Sequence, residues 1–152
     1  MLFRSRFAPI VAADAPDGIV IDSSGADHLH GGEDAMLATI VEKLAGVGLR
    51  SHIAIADTWG AAHALARFGA RSPYSSAPGS AAVDIAPLPI AALRLAPGLV
   101  DSLHMLGFDS VGDLLARPRA PLTLRFGPEP GDRKSTRLNS SHEIPSRMPS
   151  SA

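Results

Sequence analysis

Cysteine is absent from the 152 residues, which excludes both a disulfide scaffold and a thiolate-ligated metal. Aromatic residues make up only 5%, with a single Trp and a single Tyr, so any core must be built from alanine and aliphatic side chains. No apolar run approaches the roughly 20 residues that a membrane-spanning helix needs. The formal net charge of -1 gives no global attraction to nucleic acid, so contact with DNA must rest on a local patch. The opening residues, Met1 to Ile10, are basic and apolar. They lack a long hydrophobic region and a small-residue cleavage site, and do not read as a signal peptide.

What is present suffices for a core of one domain or slightly more, since 45% of the residues are hydrophobic. The chain is organised around Asp17 to Glu33, D-G-I-V-I-D-S-S-G-A-D-H-L-H-G-G-E. Ile19, Val20 and Ile21 form a β-branched run bracketed by Asp17 and Asp22, which predicts a buried strand with carboxylates at its ends. Gly25, Gly31 and Gly32 mark a turn, and Glu33 and Asp34 place negative charge at the positive end of the next helix.

In chain order, Ile10 to Ala13 predicts an edge strand and Asp14 to Asp17 a proline-containing turn before the strand Gly18 to Asp22. Met36, Leu37, Ile40, Val41 and Leu44 recur at helical spacing, predicting a helix from Glu33 that ends at Gly46 or Gly48. Arg50 to Ala56 alternates as a second strand, with Ile53 and Ile55 on one face. Asp57 or Thr58 can cap a helix from Trp59 to Phe68. The β-α-β-α order predicts an α/β unit with helices on a sheet face.

Residues 69–82 are rich in Gly, Ser and Pro and read as a linker. Beyond them Leu88 to Leu95 starts a short helical segment, Pro97 opens another that reaches Gly107, and Ser110 to Asp113 has capping-box spacing before a helix Val111 to Ala116. Two short helices joined at Gly107 make a helix-hairpin-helix-like unit, followed by Arg117, Arg119 and Arg125. The fold class expected is α/β followed by a small all-α hairpin, with residues 1–82, 83–131 and 132–152 as successive units. The last of these is rich in Ser and Arg without period and reads as a disordered tail. Asp132 to His142 and Ser146 to Ala152 match the in-frame translation of a common sequencing-library adapter, so this tail is expected to be non-native, with the gene cut off near Gly131. Without its four basic and two acidic residues the remainder carries a net charge of -3.

Asp17, Asp22 and Asp27 fit either carboxylates of two-metal nucleotidyl transfer or solvated turn residues. His28 and His30 alternate as ligands on a strand do, but without further ligands at recognisable spacing a structural role is the simpler reading. Gly31-Gly32 before a helix could seat a phosphate, yet Glu33 and Asp34 would repel it. Trp59 reads as a packing residue. In the helical hairpin, Gly107, Ser110 and Gly112 could present backbone N–H groups to phosphates, with Arg117, Arg119 and Arg125 adding charge, or the unit could be an ordinary αα-hairpin.

Asp17 to Glu33, Ala54 to Phe68 (A-I-A-D-T-W-G-A-A-H-A-L-A-R-F) and Leu88 to Gly127, with L-G-F-D-S-V-G-D-L-L-A-R-P and R-F-G-P-E, together resemble the Y-family DNA polymerases, most closely their ImuB-like branch from bacterial mutagenesis cassettes. The resemblance implies that residues 7–82 are the later part of a palm and 83–130 a thumb. The first palm strand, the fingers and the little finger would lie outside. Active members carry an adjacent Asp-Glu; Asp17 falls on the aspartate, but Gly18 stands where the glutamate would be. Active members also carry a lysine near the incoming triphosphate, where this chain has Trp59-Gly60-Ala61. Two-metal phosphoryl transfer needs such a carboxylate pair and cation. The implied function is therefore a non-catalytic, DNA-binding adaptor in damage-induced mutagenesis, cytoplasmic and nucleoid-associated. Its implied partners are primer-template DNA, a sliding clamp and a catalytic polymerase. It would need no metal or cofactor, and Asp17 would be vestigial. The alternative is an active translesion polymerase using Mg2+.

Overall fold

The computed structural model describes residues 10–118. Over them the chain is mixed α/β, as expected, with two small sheets and five α-helices. Strand β1 (Ile10–Asp14) pairs antiparallel with β2 (Gly18–Asp22), Asp14 opposite Gly18 and Ile10 opposite Asp22. The turn between them includes a cis Ala15-Pro16 bond. After a 3-10 turn at Asp27–His30, not foreseen in the sequence, Gly31 and Gly32 take positive φ angles, and α1 (Glu33–Gly46) begins. Its end is closed by Gly48 at φ 80°, whose amide donates to the Ala45 carbonyl while that of Leu49 donates to Leu44.

The strand expected over Arg50 to Ala56 is confined to β3 (Ala54–Ile55). Its partner lies in the stretch read as a linker: β4 (Tyr74–Ser75) runs parallel to it, and α3 (Ala81–Ile85) starts within the same stretch. The Gly, Ser and Pro content hid both elements. What orders the crossing is distant: Ile53 donates to Ser72 Oγ, Ser75 Oγ donates to Glu33 Oε2, and the Gly79 amide donates to Asp57 Oδ2. Between β3 and β4 lies α2 (Trp59–Phe68), capped by Thr58, whose Oγ1 accepts from the Ala61 amide.

A 3-10 turn at Ile90–Leu93 leads into α4 (Pro97–His104), and α5 (Val111–Leu115) completes the described chain. The main core joins Ala61 and Leu65 of α2 to Ile85, Ile90, Leu103 and Leu114, so it draws on residues both before and after position 82. Alanines on α2 permit this close approach. A second, smaller cluster packs Met36 and Ile40 of α1 against Ile21, Ile53 and Ile55, which is the face predicted for the two isoleucines of the second strand. Between β2 and residues 49–58 opens a cleft of about 1670 Å³, floored by Met36, Leu37, Ile40 and Leu44.

Candidate functional site: an ion-paired acidic corner and a capped helical hairpin

The acidic corner forms where the β1–β2 hairpin meets α2. Asp17, in the hairpin turn, accepts from Arg67 Nη2 at 2.5 Å. That guanidinium hydrogen bond, with its charge, holds the Asp17 carboxyl below the usual carboxylate range. Gly18 is half-buried beside it. A Cβ there would lie 2.9 Å from the Asp14 carbonyl oxygen and 3.3 Å from Arg67 Nη2, so no larger side chain fits without moving backbone. The space beside Gly18 is thus filled by the chain's own main chain and by an arginine.

The sequence reading missed Asp14, taken as a turn residue. It is the last residue of β1 and is only 8% exposed. Its Oδ1 accepts from Arg94 Nη1 at 3.2 Å, and its Oδ2 lies 3.5 Å from Nε2 of the buried His63. Arg94 reaches it from a left-handed backbone conformation, φ 55° and ψ 36°, at the end of the 3-10 turn. A non-glycine residue there carries a cost of order 1 kcal/mol. The same guanidinium lies 5.0 Å from the centroid of the Trp59 ring, and His63 meets that ring edge-on at 6.4 Å. Trp59 does pack, as expected, but on a cation and with 49% of its surface exposed. No local sequence signal pairs residues 14 and 94.

The other acidic candidates are apart from this corner. Asp22 Oδ1 accepts from the Ser24 amide, an Asx turn, and Asp27 opens the first 3-10 turn. Among the described residues, no group of three or more His, Asp or Glu side chains is arranged to hold a metal ion.

The hairpin of α4 and α5 brings Gly107, Ser110, Gly112 and Arg117 together, while Arg119 and Arg125 lie outside the described residues. Gly107, at φ 80°, ends α4. Its amide donates to His104 O, and the Phe108 amide donates to Leu103 O. Ser110 caps α5: its Oγ accepts from the Asp113 amide at 3.1 Å, and Asp113 Oδ2 accepts from the amides of Ser110 at 2.8 Å and Asp109 at 3.1 Å. The Ser110 amide is the foremost cause that holds the Asp113 carboxyl below its ordinary value. Val111 and Gly112 donate to Leu88 O and Ala86 O, each at 2.8 Å. A Cβ on Gly112 would come within 3.1 Å of that Ala86 oxygen, which explains the glycine as a point of close approach. The amides from Gly107 to Asp113 therefore all have partners within the fold, and donation of these N–H groups to a phosphate is not what they do here. The exposed groups at the bend are side chains: Met105, 90% exposed, Leu106 and Arg117.

Residues aligned over 122 positions are 51% identical to Protein ImuB in each of two strains of Caulobacter vibrioides. The alignment covers 80% of this chain and 26% of the relatives. The chain is ImuB-like. It is thereby Y-family polymerase-like, in agreement with the motifs around Asp17, Trp59 and Gly107. The ImuB-like chain spans about a quarter of the length of the curated relatives it matches. No protein-family profile matches it, and no solved structure does. None of its described helices is long and apolar enough to cross a membrane.

Proposed function

We propose that this chain is part of a non-catalytic, polymerase-like protein of DNA-damage-induced mutagenesis, which holds primer-template DNA and supports translesion synthesis by a partner polymerase. The observation that carries the reading is the closed acidic corner. Two-metal phosphoryl transfer needs carboxylates free to bind cations. Asp17 is instead engaged by Arg67, and Gly18 offers neither a carboxylate nor room for one. Trp59, Gly60 and Ala61 supply no cation to a triphosphate. The adaptor would work in the cytoplasm near the nucleoid. Contacts with a sliding clamp and with a catalytic polymerase fall to the parts of the protein beyond this quarter.

Contact with DNA at the hairpin rests, in this reading, on side-chain charge from Arg117 with Arg119 and Arg125, since the amides are engaged. The test is primer extension beside a gel shift on one primer-template, using the full-length protein with Mg2+. Binding without extension is expected. A salt dependence that flattens when Arg117 and Arg119 are replaced by alanine is expected with it. Extension that is abolished by Asp17→Ala would establish an active polymerase instead.

A further inference from the structure

We propose that Arg94 is a strained latch that keeps the acidic corner closed against α2 and the helical core. Among the described residues it is the one non-glycine with a positive φ, and the six other positive-φ positions are all glycine. A glycine would take this conformation without strain, so the reason for an arginine lies in its side chain. Its Nη1 donates to Asp14, 80 residues earlier in the chain, and its guanidinium faces the Trp59 ring. Leu93 and Leu95 on either side are buried in the core, so the backbone cannot turn away to relieve the strain while they stay packed.

Asp14 explains why the strain is tolerated. A carboxylate this buried requires a cation, and Arg94 supplies one whose charge does not depend on pH, whereas His63, its other neighbour, is charged only when protonated. Burial of Asp14 in turn seats the β1–β2 turn against α2. Its carbonyl oxygen and Cβ lie 2.9 and 3.4 Å from where a Gly18 Cβ would be, and Arg67, which holds Asp17, lies 3.3 Å from the same point. Without Arg94 the carboxylate is a buried charge lacking its permanent partner, and an outward swing of the turn hydrates it. That movement separates Asp17 from Arg67, although Arg94 bonds to neither. Arg67 and His63 still hold the closed form, so loss of Arg94 shifts the balance between closed and open corner rather than abolishing the closed one. Arg94 is thus a positioning residue that acts through Asp14.

The test uses the full-length protein with Arg94→Gly, which keeps the left-handed backbone accessible, alone and combined with Asp14→Ala. Arg94→Gly is expected to lower the denaturant midpoint at about pH 9, where histidine is ordinarily neutral. Adding Asp14→Ala is expected to raise it again, because the charge left without a partner is gone. A double variant no more stable than Arg94→Gly alone would overturn the proposal. Hydrogen exchange reads the corner itself. Arg94→Gly is expected to speed exchange at least about fivefold in peptides covering residues 14–22, while residues 97–104 of α4 exchange as in the parent. Unchanged exchange at 14–22 would overturn the latch, and so would equal speeding at 97–104, which would make Arg94 a residue of the helical core alone. Should Arg94→Gly prevent folding, recovery of the fold by Asp14→Ala supports the latch and failure to recover it overturns it.

Discussion

In the proposed reading, Gly18 alone closes a route to metal-assisted chemistry. Restoring a glutamate there does not restore a site, since its Cβ would press on the Asp14 carbonyl oxygen and its carboxylate would compete with Asp17 for Arg67. Gly18→Glu is therefore expected to give no nucleotide incorporation and to destabilise the full-length protein by about 1–3 kcal/mol, the usual cost of overpacking. Denaturant unfolding and primer extension on the variant check both parts; incorporation gained with stability intact defeats the reading. The glycine itself was legible in the sequence, because it interrupts a recognisable motif. Its steric reason was not, since Arg67 lies 49 residues further on. Asp14 was illegible for the same reason: its partners His63 and Arg94 come from α2 and from the turn before α4.

At the scale of elements, what the sequence revealed is what short-range chemistry determines. The Ser110–Asp113 capping box, the periodic face of α1 and the Thr58 cap each depend on residues within a turn or two. The two-residue strand β4 depends on β3, some 20 residues away, and has no pattern of its own to read. The capping box supports two predictions. Ser110→Ala is expected to cost about 1 kcal/mol of stability, measured by denaturant unfolding. Asp113 has its folded pKa depressed below the unfolded value of about 3.9. Its contribution is therefore present above about pH 4 and lost as pH falls through the folded value. The stability gap between the parent and Asp113→Asn should narrow from pH 7 to pH 3; a gap that stays constant would show that the carboxylate charge plays no part.

For the whole molecule, stability is concentrated where α2, α3, α4 and α5 meet. Leu103 and Leu114 are fully buried there, and Leu103→Ala is expected to cost about 2–5 kcal/mol, with loss of cooperative unfolding if the cluster fails altogether. Arg94 gives this core a mechanical consequence. Its neighbours Leu93 and Leu95 are anchored among the helices, while its guanidinium grips Asp14 at the turn of the β1–β2 hairpin. A load applied to the tip formed by Met105 and Leu106 passes through the helical cluster to three side chains, Arg94 and, on α2, His63 and Arg67, which tie it to the acidic corner. A helical hairpin pulled by whatever it holds would tug the corner with it, and cutting the tie at Arg94 would leave the corner held by α2 alone.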